Sequence, residues 1–431
     1  MKHLSTHLVV IANVANDRFR RNGFLWLIRG FVKRTLLVAS WLVMVPISLP
    51  LHLIGFRRIL IRTEHIGHLS AEFDTFIKEK DLGLIPSRRW FVTAPLTRVS
   101  NSHLLDYWRP FVPIISHKAF CAFLDTLSQY FFMREDVSRY ISTFFGPQDI
   151  YRINKLWDKR SPILSLTERD ELWASNALNQ LGITSGKWFV CVHVREGGFL
   201  PNNELIQSHR NANVACTIPA MQEIVRRGGI CVRMGDQNMT PLPPLEGVID
   251  YAHHPLKSDK MDVVLCAKAR FFLGCTSGLA FLSAIFGVPI AQANMIPVEA
   301  LAIRHCDISI PKLLRSNSLG RHLRFDEILK SDIGGYYFSH QYKQAGIYVD
   351  ENKPEDILEL VTEMLDRLDG TFTEHEDDQA LHARYMSLFK PGHYSYEACS
   401  RVCIGFLRRH RHLLNPEDEC LAVHTIGSSA K

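Results

Sequence analysis

No Asp-x-Asp occurs anywhere in the 431 residues, so the carboxylate pair that commonly holds a divalent ion against a nucleotide-sugar diphosphate is missing. The chain also lacks G-x-x-x-x-G-K-[ST], which removes the usual phosphate loop of an ATPase, and G-x-G-x-x-G, which weakens a dinucleotide site. Without a Gly-x-Ser-x-Gly, a hydrolase nucleophile elbow has no support. The ten cysteines begin only at Cys121, and Cys399 and Cys403 are separated by three residues rather than two. No pair of Cys-x-x-Cys units is present, so neither zinc nor any other metal is expected. Scattered thiols of this kind suit a reducing compartment.

Negative charge is nearly absent from the start of the chain. Residues 1–62 carry ten Lys/Arg against one acid, Asp17, a balance of +9, while the whole chain is +6 and the remainder therefore about −3. The basic excess belongs to one segment, which removes the main support for nucleic-acid binding. Within that segment Thr35 to Phe56 runs 22 residues without a charge, long enough to cross a bilayer. It starts too late and lacks the small-residue cleavage site of a signal peptide. Arg18, Arg20, Arg21, Arg29, Lys33 and Arg34 precede it, Arg57, Arg58 and Arg62 follow it, and Pro46 and Pro50 interrupt it. The expectation is a membrane-anchoring segment that is kinked, re-entrant or interfacial, with both ends on the cytoplasmic side. A single span and a buried core helix are the alternatives.

Beyond this segment the pattern is α/β. Arg58–Arg62 reads as a strand, followed through Thr63-Glu64-His65-Ile66-Gly67-His68 by a helix with apolar Leu69, Phe73 and Ile77, and Trp90–Ala94 reads as a second strand. Residues 100–145 are aromatic and mostly helical by period. Thr167-x-x-Asp170 resembles a capping box that opens a helix ending at Gly182. From there the alternation is regular: strand Trp188–Val194, helix Ala215–Arg227, strands Ile230–Arg233 and Gly247–Asp250, helix Asp259–Ala269, strand Phe271–Leu273, helix Leu279–Phe286 and strand Pro289–Ala293. Helices are expected over Pro354–Asp369 and roughly Ser395–Leu414. Strands alternating with helices imply parallel sheets with crossovers. Two such halves fit two Rossmann-like domains facing a cleft, with ligands beyond the carboxyl ends of the strands.

Three strands of the second half end in polar residues that suit an anion. In Cys191-Val-His193-Val-Arg195-Glu-Gly-Gly-Phe199, alternation puts His193 and Arg195 on one side. Arg233 ends the next strand, with Gly235-Asp236 in the turn. The third, Phe271–Leu273, runs into Gly274-Cys275-Thr276-Ser277-Gly278 and at once into a helix, which places free N–H groups and two hydroxyls at a helix N-terminus. Two guanidiniums, two hydroxyls and that N-terminus make a diphosphate site without a metal. Each residue also has a plainer reading: His193 as a core histidine, Ser277 as an N-cap, Asp236 as a turn cap, either Arg as a salt-bridged residue.

With these residues in view a resemblance is visible. Asp262 through Gly274-Cys275-Thr276-Ser277-Gly278 looks like the last signature of the fucosyltransferase superfamily, and His193-Val194-Arg195 resembles its His-x-Arg motif, whose Arg contacts the donor diphosphate. The Ser-Gly turn before a Gly-x-Pro resembles heptosyltransferases. His193–Arg195, Arg210-Asn211-Ala212, Arg233–Asp236, Asp250-Tyr251-Ala252 and Ser277-Gly278 together resemble a bacterial family of glycosyltransferases. Two departures stand out: Glu196-Gly197-Gly198 follows the Arg, and Gly278 replaces the second Ser of the fucosyltransferase pair. They count against GDP-fucose, though not against a nucleotide-diphosphate sugar.

The resemblance implies a GT-B-like, metal-independent glycosyltransferase that needs no cofactor. It would act on a glycan or lipid-linked acceptor in bacterial surface polysaccharide synthesis, at the cytoplasmic face of the inner membrane. Its expected parts are an anchor at 1–56, an acceptor domain and linker at 57–165, a nucleotide-sugar domain at 166–350, and helices at 351–431 packing back. His193, Arg195, Arg210, Asn211, Arg233, Asp236, Thr276, Ser277 and Gly278 would bind the donor, and Asp262 would order the turn, bind the nucleoside or simply lie on a helix surface. An inverting reaction needs a base. By analogy Glu64 and His68 are the candidates, with His65 beside them, and Glu72 and Asp74 read as helix surface. A retaining reaction needs no such base. A sugar-nucleotide epimerase and a non-catalytic assembly scaffold are the competing functions.

Overall fold

The structure, a computed structural model, describes residues 32, 35, 38, 41–129, 133–141, 147–197, 204 and 206–414. The basic run at 1–31 and the Gly198-Phe199 part of the turn after the His-x-Arg motif lie outside the described residues. The chain divides into two compact units. The smaller comprises 1–59, 88–95 and 113–135, and the larger comprises 60–87, 96–112 and 136–431. Residues 60–87 and 96–112, placed from sequence in an N-terminal domain, thus cluster with the larger unit.

The smaller unit is built on a four-stranded sheet ordered β3-β2-β1-β4: β1 Phe56–Leu60, β2 Arg89–Thr93, β3 Ile114–Ile115 and β4 Arg134–Asp136. β1 and β2 pair in parallel, as do β2 and β3. Residues 41–53 form helix α1, whose Met44 and Leu51 pack on a cluster of Phe91, Leu127 and Met133. Among the described residues no helix is long and apolar enough to cross a membrane.

The larger unit holds a seven-stranded sheet ordered β14-β10-β9-β8-β5-β6-β7. Its strands are β5 Phe189–His193, β6 Ile230–Arg233, β7 Val248–Ile249, β8 Phe272–Gly274, β9 Ile290–Met295, β10 Ile308–Pro311 and β14 Arg401–Val402. Every pairing among them is parallel. Read outward from β5, one wing runs β5-β6-β7 and the other β8-β9-β10, which is the doubly wound order with its switch point between β5 and β8. Buried runs such as Phe-Val-Cys-Val-His at β5 explain why these strands were legible, since parallel strands are covered on both faces. A second, antiparallel sheet of β11 Leu313–Ser316, β12 Arg321–His322 and β13 Ile347–Asp350 was not expected from sequence. The predicted helix Ser395–Leu414 is corrected: β14 occupies Arg401–Val402 and only Ile404–Arg409 is α-helical. An edge strand of two residues carries too little alternation to announce itself.

The helix α2 (Ile66–Asp81) is the main surprise. Its sequence reads as amphipathic, yet Glu72, Asp74, Lys78 and Glu79 are all at most 4% exposed. Glu72 and Asp74 are therefore not helix surface. The buried charges are paired: Lys78 with Asp74 at 2.6 Å, and Glu79 with Arg139 at 2.6 Å and the Tyr140 hydroxyl at 2.5 Å. Elsewhere Thr167 caps the helix Glu168–Gln180 by accepting from the Asp170 N–H, as predicted. The Asp170 carboxylate does not return the bond; it receives Lys260 at 2.7 Å, His103 at 2.8 Å and the Tyr107 hydroxyl at 2.5 Å. Burial opposes its ionisation, but these donors prevail and hold it down at about 2.

The helix α2 meets a second helix, Gly278–Ile285, at two glycines. A Cβ on Gly67 would lie 2.8 Å from the Gly278 Cα, and one on Gly278 would lie 2.7 Å from the Gly67 nitrogen. Backbone touches backbone, so neither side has room to yield. Gly67→Ala and Gly278→Ala are each expected to cost about 1–3 kcal/mol by overpacking, outweighing the ~1 kcal/mol that alanine gains over glycine in a helix. Urea unfolding measures this, and a stabilised alanine variant would refute the contact.

Candidate functional site

The switch point sets the site. β5 ends at His193 and β8 at Gly274, hydrogen-bonded neighbours in register, so both chains leave the same edge of the sheet side by side. The Arg195 N–H reaches the Cys275 Sγ at 3.3 Å, which keeps the two exits together. After β8 the turn Cys275-Thr276-Ser277 opens the Gly278–Ile285 helix. Ser277 stands at its N-cap with extended backbone, yet its side chain does not cap, and its Oγ is buried without a hydrogen-bond partner. His65 stands at the N-cap of α2, likewise without a side-chain cap. Neither helix has an acidic residue in its first turn. Two uncapped helix N-termini therefore converge through Gly67 and Gly278, and their partial positive charges add.

The predicted residues divide by what they already hold. Arg195 donates to the Gln207 carbonyl at 3.1 Å and to the Asn211 Oδ1, and lies 3.6 Å from Glu204. Asn211 donates in turn to Glu204 at 2.8 Å. Burial and the nearby Arg210 lower the Arg195 pKa from its usual value. Arg210 donates to Gln207 and to the Thr276 carbonyl at 2.5 Å, tying the His-x-Arg side of the site to the turn, while its Nε has no partner. The Thr276 hydroxyl lies 3.4 Å from both Gln292 and the Ile296 N–H.

Arg233 lies differently. It is fully buried, with Nη1 on Asp250 at 3.0 Å and Nη2 on Glu196 at 3.0 Å and on the Thr240 carbonyl at 3.1 Å. Its charge is matched by two carboxylates, so it braces the strand ends. The sequence quoted Glu196 only as a departure from a motif and Asp250 only as part of one; their shared role appears only when three strand ends are brought together. Asp236 caps its own turn, accepting from the Asn238 N–H at 2.8 Å. Asp262 sits in the first turn of the Asp259–Lys268 helix, paired with Lys257 at 3.2 Å, and burial raises its pKa.

His193 is 7% exposed, and its Nδ1 has no partner. Burial first, then the charges of Arg233, Arg195 and Lys257, push its pKa down to about 3, so the ring is neutral. Glu64 is solvent-exposed, and so is His65. The ring of His68 is held: Nδ1 lies 2.7 Å from the Glu72 Oε1, and the other Glu72 oxygen accepts the Arg62 N–H at 3.1 Å. An ionised carboxylate only accepts, so this contact places the hydrogen on Nδ1, the tautomer in which Nε2 is the acceptor nitrogen. Lys312 was not singled out from sequence, because nothing marks the residue after a short strand. It is 2% exposed, donates to the His209 and Asn211 carbonyls at 3.1 and 2.6 Å, and burial brings its pKa down to about 8. It lines a cavity of about 820 Å³ with Glu196, Gly197, Asn211, Asn238 and Glu351. Among the described residues no three His, Cys, Asp or Glu side chains are grouped to hold a metal, and all nine described cysteines are free.

No protein-family model matches the chain, and no curated protein matches it closely enough to count. Among solved structures it is similar to the ADP-heptose lipopolysaccharide heptosyltransferase II of E. coli, with 13% identity, 73% of this chain and 100% of that one covered, and a TM-score of 0.42. It is also similar to the dodecameric iron-containing heptosyltransferase TibC in complex with ADP-D-β-D-heptose, with 13% identity, 56% of this chain and 58% of that one, and a TM-score of 0.33. A family 9 glycosyl transferase from Veillonella parvula gives 10% identity, 55% and 80% coverage, and a TM-score of 0.26. The chain thus spans less than two thirds of TibC. Scores this low decide nothing about the site, which stands on its own geometry.

Two outcomes test that geometry. A capping serine would cost about 1 kcal/mol on truncation, but Ser277→Ala removes an unpartnered buried hydroxyl and should leave the melting temperature unchanged or raised; a fall would restore the N-cap reading. The folded chain keeps His193 neutral down to about pH 3, whereas the unfolded chain takes up the proton near the ordinary 6.5. Stability is therefore full above 6.5 and falls with pH below it. His193→Gln should flatten that fall, by something of order 2 kcal/mol at pH 4.5. Parallel melting curves for variant and parent would contradict the assignment.

Proposed function

We propose that this chain is a glycosyltransferase taking a nucleoside-diphosphate sugar as donor. The acceptor is a hydroxyl of a glycan or lipid-linked sugar, in bacterial surface polysaccharide synthesis at the cytoplasmic face of the inner membrane, and no metal is required. The observation that carries the reading is the meeting of two uncapped helix N-termini at a doubly wound switch point, around a buried, unpartnered Ser277 hydroxyl. Such a seat favours an anion with several oxygens. Arg195 is the guanidinium best placed to share that anion, because Arg233 is already matched by Glu196 and Asp250. Arg210 and Lys312 hold the backbone that carries the seat and its flank.

In the reaction, the acceptor oxygen bonds to the anomeric carbon while the bond from that carbon to the diphosphate breaks. The electron pair leaves with the diphosphate, where helix N-termini and Arg195 meet the developing charge. The acceptor proton passes to Nε2 of His68, and Glu72 supports the imidazolium that forms. The configuration inverts. Glu64 is not needed as a base in this scheme.

Thermal melting against ADP, GDP, UDP, CDP and dTDP identifies the donor base. At least one should raise the melting temperature, and Arg195→Ala should abolish the rise. Insensitivity to all five would remove this reading and that of an epimerase together. With the donor in hand, His68→Gln should lower kcat by roughly 100- to 10,000-fold while leaving the nucleotide-induced shift intact. Product analysis then separates the alternatives: sugar attached to an acceptor supports transfer, and free epimerised nucleotide sugar replaces it with epimerisation.

A further inference from the structure

The smaller unit carries an apolar surface that the reaction does not use. Residues 41–54 contain no charged side chain, and one side of α1 is committed to the unit's own core through Met44, Leu51 and the fully buried Ser48. The other side shows Leu42, Val43, Ile47, Leu53 and Ile54 to solvent, with Leu42 and Leu53 more than 70% exposed. The neighbouring helix Lys118–Leu127 packs on the same cluster through Leu124 and Leu127. It presents Phe120 and Phe123 as a stacked pair, 50% and 42% exposed. Single exposed apolar residues are ordinary, but seven on two adjoining helices make a patch that something normally covers.

The charges near this patch say what. Arg57, in β1, reaches back to the last turn of α1, with Nη2 3.1 Å from the His52 Nε2 and Nη1 donating to the His52 carbonyl at 2.9 Å. Arg88, exposed, is close enough to depress the Arg57 pKa, after burial, with Glu135 opposing. Arg89, also exposed, lies over the Phe56 ring. Lys118, exposed, begins the Phe120 helix. Arg58 is excluded, being paired to Asp125 at 2.7 Å. A second copy of the chain placed face to face would bring like charges together. An anionic lipid surface complements both features, taking the apolar side chains among its acyl chains and the arginines at its phosphates.

We infer that this face of the smaller unit docks the protein onto an anionic bilayer, with α1 lying in the interface and held from behind by its own sheet. The inference stands independently of the reaction assigned to the larger unit.

Full-length protein is sedimented with vesicles of phosphatidylglycerol or of phosphatidylcholine. Binding to phosphatidylglycerol is expected, with weaker binding to phosphatidylcholine. The double variant Leu42→Glu, Leu53→Glu keeps every Lys and Arg, including those of residues 1–34. It should lose affinity roughly tenfold or more, as should Phe120→Ser, Phe123→Ser on the other helix. Unaltered circular dichroism shows that the fold is retained in each. Unchanged binding by both variants would overturn the inference, since the basic N-terminal segment alone would then account for the attraction. So would a parent protein that ignores phosphatidylglycerol vesicles, or one that self-associates without lipid through a contact these variants abolish.

Discussion

Everything distinctive about the larger unit follows from the close approach of α2 to the Gly278–Ile285 helix. Helices separated by ordinary side chains lie about 8–10 Å apart; two glycines allow main chain to touch main chain. The contact falls at the N-terminal end of both helices, where backbone N–H groups lack internal partners. It therefore brings two positive ends together instead of letting each find water or a side-chain cap. Other segments cover the rest of α2, with Arg139 and Tyr140 on Glu79 and Asn154 on Lys78, so that a helix with ordinary surface composition is buried with its charges. Those charges persist only because each has found a partner, as Asp74 has in Lys78 and Glu79 in Arg139. An unpaired one would cost several kcal/mol. The same enclosure fixes Glu72, and Glu72 fixes His68.

The replacement of a second serine by Gly278 takes on a physical meaning here. A hydroxyl at that position would require a Cβ within 2.7 Å of the Gly67 nitrogen, which no rotamer relieves. One hydrogen-bonding group is exchanged for a second helix N-terminus. Ser277 remains, uncapped and unpartnered, as the hydroxyl of the turn.

What the sequence revealed tracks burial. Strands β5, β6, β8 and β9 are apolar runs covered on both faces and were read to within two residues. What it concealed depends on contacts between distant residues. Arg233 and Arg195 look equivalent as strand-end arginines, yet one faces Glu196 and Asp250 and is fully buried while the other keeps partial exposure. No local pattern separates them. Glu72 and Asp74 repeat the point on a helix, where position alone suggested surface and tertiary enclosure decided otherwise. The two-residue strands β3, β12 and β14 are too short for any periodicity to register. Lys312 is identifiable only from the carbonyls it serves. The uncharged run at Thr35–Phe56 was long enough for several fates, and only the packing of Met44 and Leu51 shows that one side of its helix belongs to the protein.

Charge arithmetic connects these parts. Each helix N-terminus contributes about half a positive charge, so the two that meet at Gly67 and Gly278 supply about one. Arg195 adds another, reduced by a Glu204 that stands 3.6 Å away, long for a tight pair. The sum roughly matches the two negative charges of an intact diphosphate ester. In the proposed transfer, cleavage of the donor bond would release one further negative charge, which the fixed seat would not cover. In the same step of the proposed reaction His68 would gain a proton and become a cation, one residue from the glycine contact, beside the Glu72 carboxylate. On that proposal the positive charge needed late in the reaction would be created by the reaction itself rather than stored in the resting site. That is why a fully neutralised Arg233 and a neutral His193 are compatible with a site for an anion. Fixed cations beyond those needed for the ground state would bind the released diphosphate more tightly than the donor and slow its departure.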